Sequence, residues 1–252
     1  YLRGMEKRVY NNSAAVTTID QVFYDTIVGR FDDKSKLHII PNFVDTDLYH
    51  DGVSTKELDR KLFPETDSIK LLYAGNIGFA QDWEPLIRLA EKTRNQNIEY
   101  FLIGMGVKKK WVEEQKTLLG LDKLHILDYQ PRHMMPAILA YSDLQYIFMT
   151  PEQEGMGFPS KVYTIMACAR PLLVCSGDNT PIVNFLKPVG CAKLVTDHDL
   201  ERKTDEMAKW LSTITRDDLR QMGAKGESVI KQSYTKEKVT RQYVELVDSI
   251  LK

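Results

Sequence analysis

Three glycine pairs sit where apolar runs give way to polar ones: Gly75-Asn76-Ile77-Gly78, Gly104-Met105-Gly106 and Gly155-Met156-Gly157. Glycine lets backbone N–H groups approach a ligand closely, and the N-terminus of a following helix adds a positive dipole end. The chemistry expected of such turns is the holding of an anion, above all a diphosphate. Each pair alone also fits a plain tight turn, and for Gly104 and Gly106 that reading stays fully open. Gly75 and Gly78 are the best placed, because they follow the first of a series of strands and open a helix. None of the pairs completes Gly-x-Gly-x-x-Gly, since Lys109 and Ser160 stand where the third glycine belongs, so a dinucleotide cofactor is unsupported. A second anion contact is expected in Pro159-Ser160-Lys161, with Ser160 as a helix N-cap. Lys161 then falls in the first turn, where a cation opposes the helix dipole unless an anion lies nearby.

The elements that would position these groups are legible as alternating patterns. Apolar runs at Ile69 to Ala74, Ile98 to Ile103, Leu124 to Leu127, Leu144 to Met149, Leu172 to Cys175 and Ala192 to Val195 read as strands buried on both faces. Amphipathic stretches at Trp83 to Lys92, Lys109 to Leu118, Pro131 to Ala140 and Lys161 to Ala169 read as helices between them. Strand and helix in alternation give an α/β fold, a doubly wound parallel sheet, whose ligands bind at the carboxyl edge. Before it, a helix (Leu2 to Tyr10), a strand (Ala14 to Ile19) and a helix (Gln21 to Val28) stand apart. After Gln232 a last helix carries apolar residues at Val239, Tyr243, Leu246, Val247 and Ile250 on one face. The expected organisation is residues 1–30, a sheet domain over 31–235, and a terminal helix over 236–252. Both ends could cap the domain or belong with a partner lobe.

With 252 residues and a net charge of -1, the chain has nothing in its bulk electrostatics that calls for nucleic acid. Its three cysteines, Cys168, Cys175 and Cys191, fall in apolar surroundings and read as reduced, which suits a cytoplasmic setting. No apolar run approaches the roughly 20 residues that cross a bilayer. The chain opens on Tyr1 rather than methionine, and is expected to be part of something longer.

Other signals have plainer readings beside the chemical ones. Asp45-Thr46-Asp47 and Asp197-His198-Asp199 pair carboxylates as divalent cations favour, but a linker and a helix start are also where aspartates cap. The scattered histidines give no zinc spacing. Lys108-Lys109-Lys110-Trp111 could touch an anionic membrane or a lipid-linked molecule, or be a solvated face. Gln130, Arg132 and His133 could border a nucleotide base, or cap a surface helix.

Together these segments resemble family 4 (group 1) of the retaining glycosyltransferases, two-lobed GT-B enzymes. Leu37-His38-Ile39-Ile40-Pro41-Asn42-Phe43-Val44-Asp45-Thr46-Asp47-Leu48 is similar to the family's linker into the donor-binding, C-terminal lobe. Leu72-Tyr73-Ala74-Gly75-Asn76-Ile77-Gly78 resembles its first strand and diphosphate turn, and Phe101-Leu102-Ile103-Gly104-Met105-Gly106 its second. Pro159-Ser160-Lys161 and Met166-Ala167-Cys168-Ala169-Arg170-Pro171 resemble a branch that builds bacterial surface polysaccharides, colanic acid among them. The resemblance implies a UDP- or GDP-sugar donor, no metal or other cofactor, and a glycan or lipid-linked glycan acceptor. It also implies an N-terminal lobe of the same protein, of which residues 1–30 would be the tail; the cysteines and the Lys108 to Trp111 run add the expectation of a cytoplasmic site of action with a peripheral membrane contact. On it, Gly75, Asn76, Ile77, Gly78, Ser160 and Lys161 would hold the diphosphate. Thr164, Gly104, Gly106, Gln130, Arg132, Gly155 and Gly157 would border ribose, base or sugar.

The departures are specific. Asn76 and Gln81 stand where many members have an arginine and a lysine for the diphosphate. Of the family's two glutamates, the one for the ribose falls near Thr164, whose hydroxyl bonds more weakly than a carboxylate. The one for the transferred sugar falls near Met156, with Glu154 the nearest carboxylate. Retention would then rest on charge stabilisation of the leaving diphosphate, which helps deprotonate the acceptor hydroxyl. A GT-B sugar-nucleotide epimerase and a catalytically inactive binding subunit remain alternatives.

Overall fold

The computed structural model of the protein describes residues 2–155 and 157–252; Tyr1 and Met156, the latter named above for the sugar contact, lie outside the described residues. The chain begins with helix α1 (Leu2–Asn12), strand β1 (Val16–Thr18), helix α2 (Gln21–Ile27) and strand β2 (Leu37–Ile39). Then come β3 (Ile69–Ala74), α3 (Glu84–Lys92), β4 (Ile98–Ile103), α4 (Lys109–Leu119), β5 (Leu124–Leu127), α5 (Met135–Tyr141), β6 (Leu144–Phe148) and α6 (Lys161–Ala167). It closes with β7 (Leu172–Cys175), α7 (Pro181–Leu186), β8 (Ala192–Val195), α8 (Leu200–Leu211), α9 (Arg216–Ser233) and α10 (Lys236–Leu251).

Six of these strands form one parallel sheet in the order β5-β4-β3-β6-β7-β8. The chain starts at the middle with β3, winds outward through β4 and β5, then returns to the other side of β3 with β6, pairing Leu71 with Leu144. The direction of winding therefore reverses between β3 and β6, and the loops leaving those two strands part there. Alternation within each strand sends side chains to both faces. Tyr73, Tyr100, Tyr146 and Leu173 pack with Leu86 of α3, Val112 of α4 and Met207 of α8. On the other face, Leu72 and Phe101 pack with Ala137 of α5, while Ile147 and Val174 pack with Met166 of α6, Ile182 of α7 and Ile230 of α9. With both faces covered, the strands carry apolar residues almost continuously, which is why the sequence pattern marks them so closely. The sheet is the doubly wound α/β arrangement expected.

The differences lie at element ends. The helix foreseen through Ala169 stops at Ala167, because Ala169 takes a left-handed φ of 52° that ends the turn. The helix foreseen at Pro131 begins as a short 3-10 turn over Arg132–Met134. β1 is shorter than foreseen and pairs with β2, Val16 opposite Leu37, so the small N-terminal sheet extends past the boundary at residue 30. Pairing with a strand from the supposed linker gives a three-residue segment a partner that its own length does not announce. The linker and the start of α10 run side by side: Val44 N–H donates to Tyr234 O, and Lys236 N–H to Val44 O. Asp45 pairs with Lys236 at 3.1 Å. Val239 of α10 is buried, whereas Tyr243, Val247 and Ile250 stay exposed, as do Leu2, Met5 and Val9 of α1.

The position of α6, which carries Lys161, is set by α9. Gly223 of α9 lies so close to the turn after α6 that a Cβ there would sit 1.9 Å from Ala169 O. Gly226, one turn on, faces Met166 and Cys191. Gly223→Ala should force the two helices apart and destabilise the protein by about 1–3 kcal/mol, the usual cost of overpacking, as read by urea denaturation.

Candidate functional site

The sheet's first loop is held in place by hydrogen bonds from its own strand and from α3. Tyr73 Oη donates to Asn76 O at 2.9 Å, and the Trp83 indole donates to Gly78 O at 2.7 Å. The neighbouring loop locks it further: Gly75 N–H donates to Ile103 O, Ile77 N–H to Met105 O, and Lys108 N–H to Ile77 O. Two of the four amides expected to face an anion are therefore already bonded, which corrects the expectation for Gly75 and Ile77. The amides of Asn76 and Gly78 make no hydrogen bond among the described residues, and Gly75 and Asn76 are exposed.

Gly104 and Gly106 have φ of 147° and 156°, and their missing side chains are what lets the loops nest. A Cβ on Gly104 would lie 1.9 Å from Gly75 O, and one on Gly106 would lie 2.2 Å from Ile77 O. Close packing of one turn on the other is by itself enough to require glycine at both positions. That is the plainer of the two readings left open by the sequence.

Lys161 reaches across from the start of α6 into this loop. Its Nζ lies 3.7 Å from the centre of the Tyr73 ring, donates to Ala74 O at 3.2 Å, and sits 2.9 Å from where a Gly75 Cβ would be. No carboxylate pairs with it among the described residues. Burial alone lowers its pKa to about 8, with no neighbouring charge to restore it. A cation enclosed between a ring, a carbonyl and a glycine is half-solvated at best, and an anion entering at Gly75 would complete it.

Ser160 does not cap α6: it has helical dihedrals and its hydroxyl makes no cap bond, which corrects that expectation. Extension of the helical backbone back through Ser160 turns its side chain away from the amides a cap would satisfy. Thr164 donates to Lys161 O at 2.9 Å and lines a cavity of about 740 Å³ with Phe43, Tyr49, Arg132, His133 and Pro136. Arg132 and His133 are exposed there, and Gln130 instead donates to Asp128 O at 3.0 Å. Thr164 is thus one helical turn from Lys161, joining the cavity to the glycine loop.

Glu154 is held by loops of the neighbouring strands. One carboxylate oxygen accepts from Gly177 N–H at 2.6 Å and the other lies 3.8 Å from His198 Nε2, so it ties the loop after β6 to the loops after β7 and β8. Gly155, with φ of 78°, has open space around it, and Gly157 lies beside Phe23 of α2. Gln81 accepts from Phe148 N–H at 3.2 Å and so is tied into the sheet edge. Both Asp-x-Asp segments cap: Asp45 accepts from Asp47 N–H, Asp197 from Asp199 N–H, and Asp199 from Arg202 N–H at the start of α8. No group of three or more metal-ligating side chains occurs among the described residues. Lys109 pairs with Asp128, and Lys108 lies over Phe79 and Trp111. No described helix is long and apolar enough to cross a membrane. Tyr73 and Trp83, which fix the loop, were not singled out in the sequence; the only signal for Tyr73 is its place two residues before Gly75 on the face opposite Leu72.

Residues 54–227, well over half of the chain, match the family profile of the glycosyl transferases group 1. The chain belongs to that family. WcaI of Escherichia coli strain K12, whose name assigns it to glycosyl transfer in colanic acid biosynthesis, is 28% identical over 97 residues, covering 38% of this chain and 24% of WcaI. WbjE of Pseudomonas aeruginosa, named as a glycosyltransferase, is 24% identical over 168 residues, or 65% of this chain and 40% of that protein. Among solved structures, sucrose-phosphate synthase of Thermosynechococcus elongatus superposes with a TM-score of 0.76 at 15% identity, covering 99% of this chain and 61% of that one. HepE of Anabaena, solved with UDP and glucose, gives 0.76 at 17% identity, with 98% and 66% covered. The fold is that of GT-B glycosyltransferases. The chain matches under half the length of the two curated relatives and about two thirds of the two solved chains.

The buried ammonium makes stability depend on pH in a defined direction. Between about 8 and the ordinary 10.5, the unfolded chain holds the Lys161 proton and the folded chain does not, so this group's contribution to stability rises with pH over that window. Lys161→Met, which removes the charge and keeps the bulk, should gain stability relative to the parent at neutral pH. The gain should narrow as pH climbs above about 8 in paired urea titrations. A constant difference between the two proteins across that range would contradict the enclosed, unpaired charge.

Proposed function

We propose that the protein binds the diphosphate of a UDP- or GDP-sugar at the carboxyl edge of its sheet. With an N-terminal lobe of the same protein, it transfers the sugar with retention to a glycan or lipid-linked glycan. The observation that carries this reading is the Lys161 ammonium: enclosed at Gly75, lowered in pKa by burial, and without a carboxylate partner among the described residues. Beside it the exposed Asn76, whose amide makes no hydrogen bond among the described residues, supplies a donor, and the nucleoside has the adjoining cavity between Thr164, Arg132 and Tyr49. This pairing matches the division of a nucleotide into one charged and one planar part.

The reaction follows from the same charge. As the glycosidic bond to the diphosphate breaks, negative charge grows on the leaving oxygen, and a cation and amides already fixed in place stabilise it without reorganising. That leaving oxygen would also take the proton of the incoming hydroxyl on the same face of the sugar, so retention needs no covalent enzyme intermediate. Asn76 and Gln81 supply no positive charge here, so Lys161 carries more of the load than a lysine that shares the task. Support for the donor class comes from the family match and from the UDP and glucose seen with HepE.

Lys161→Met should weaken UDP or GDP binding about tenfold or more by calorimetry, since a charge-assisted hydrogen bond contributes about 1.5–3 kcal/mol. In the parent protein UDP or GDP, but not the free nucleoside, should raise the melting temperature, because a ligand that binds only the folded state stabilises it. Unchanged affinity in Lys161→Met would remove the basis of the proposal.

A further inference from the structure

A second cavity, of about 400 Å³, opens at the same sheet edge on the side of α3 and α4. Its walls come from three loops: Phe79 and Asp82 after β3, Lys108 and Trp111 at the start of α4, and Glu152 and Gln153 after β6. Phe79 is 69% exposed, so its ring is open to solvent at the mouth of this cavity. Lys108 Nζ lies 5.1 Å from the Phe79 ring centre and 5.9 Å from the Trp111 ring, so its charge is already shared between two aromatic faces. Asp82 already faces Lys203 at 3.5 Å, and Glu84 and Glu152 add two further carboxylates against Lys108.

This balance disfavours a phosphate and suits an uncharged polyol. A pyranose has an apolar C–H face, which an aromatic ring covers, and a rim of hydroxyls, which donate to carboxylates and exchange hydrogen bonds with an amide such as Gln153. The cavity size lies within the range of small-molecule sites. The geometry points to a saccharide subsite here, separate from the nucleotide, in which Phe79 and Trp111 form the platform for one neutral glycosyl unit. Trp83 connects the two places: its indole bonds Gly78 O in the diphosphate loop, and its residue borders this cavity. A glycan held here would lie beside the loop that binds the donor. Its use as an acceptor subsite rests on the function proposed above; saccharide binding itself does not.

The test is a titration of ¹⁵N-labelled protein with methyl glycosides of glucose, galactose, mannose, fucose and N-acetylglucosamine, with and without saturating UDP. The Trp111 indole resonance, assigned through Trp111→Phe, is the readout. At least one glycoside should shift it saturably, with the same affinity whether or not UDP is present. Phe79→Ala, which alters an exposed side chain and leaves the core intact, should weaken that binding about tenfold. The proposal is overturned if no glycoside moves the Trp111 signal, if UDP displaces the glycoside, or if Phe79→Ala binds as tightly as the parent. UDP affinity is measured on the same samples. Glycoside binding without UDP binding would sink the donor assignment alone, and UDP binding without glycoside binding would sink this one alone.

Discussion

The site depends on a contact between two pieces of backbone. The loop after β3 lies in the volume that side chains at residues 104 and 106 would occupy, and its Gly75 and Ile77 amides bond carbonyls of the loop after β4. Everything that faces the ligand edge follows from this nesting. With the Gly75 and Ile77 amides bonded inward, the amide of exposed Asn76 is left without a partner among the described residues, and the Gly75 Cα presents no side chain to the approaching Lys161. An alanine at 104 would move the whole turn without touching a ligand, because the atom it meets is backbone carbonyl and cannot rotate away.

Lys161 is then placed by a different set of constraints. It projects from the first turn of α6, and α6 is pinned from behind by Gly223 and Gly226 of α9. The ammonium arrives over Tyr73, a side chain packed on the α3 and α4 face, while α6 itself packs on the opposite face. The lysine therefore spans the edge of the sheet where the winding reverses, between β3 and β6. Side chains of the two layers come within bonding distance at that point, and the point is charged.

How much of this the sequence reveals depends on the range of the interaction responsible. The six strands of the large sheet are legible because each is buried on both faces, which leaves an apolar run between helical patterns. Lys161 is legible as well, since a cation in the first turn of a helix breaks a local electrostatic rule. Ser160 misleads for the opposite reason: its type and position promise a cap, but the backbone before α6 stays helical, a property set by the preceding loop. Gly104 and Gly106 look like ligand turns because nothing in their neighbourhood names residues 75 and 77 as what fills their space. Likewise Glu154 is a carboxylate near a glycine pair in sequence, yet its partners, Gly177 and His198, come from two loops further along the sheet edge. Local rules are written in adjacent residues, and loop-to-loop packing is not.

The distribution of charge along the sheet edge bears on why the chain lacks the family's usual arginine and lysine after the first strand. Gln81 stands at one of those places and is tied to Phe148 N–H, and Asp82 beside it donates its own N–H to Phe148 O. Those two bonds fasten the loop after β3 to the end of β6 across the gap between the strands. A cation at 81 could not accept from Phe148 N–H and would leave only the Asp82 bond across the gap. Gln81 and Asp82, held by these bonds, also line the aromatic cavity at Phe79 and Trp111. On the function proposed above, one positive charge at Lys161 would serve a doubly charged diphosphate, and the remaining stabilisation would come from dipoles that do not move. The turn nested on Gly104 and Gly106 and bonded by Tyr73 and Trp83 is fixed before any ligand arrives, and that is the condition under which a single lysine would suffice for the proposed reaction.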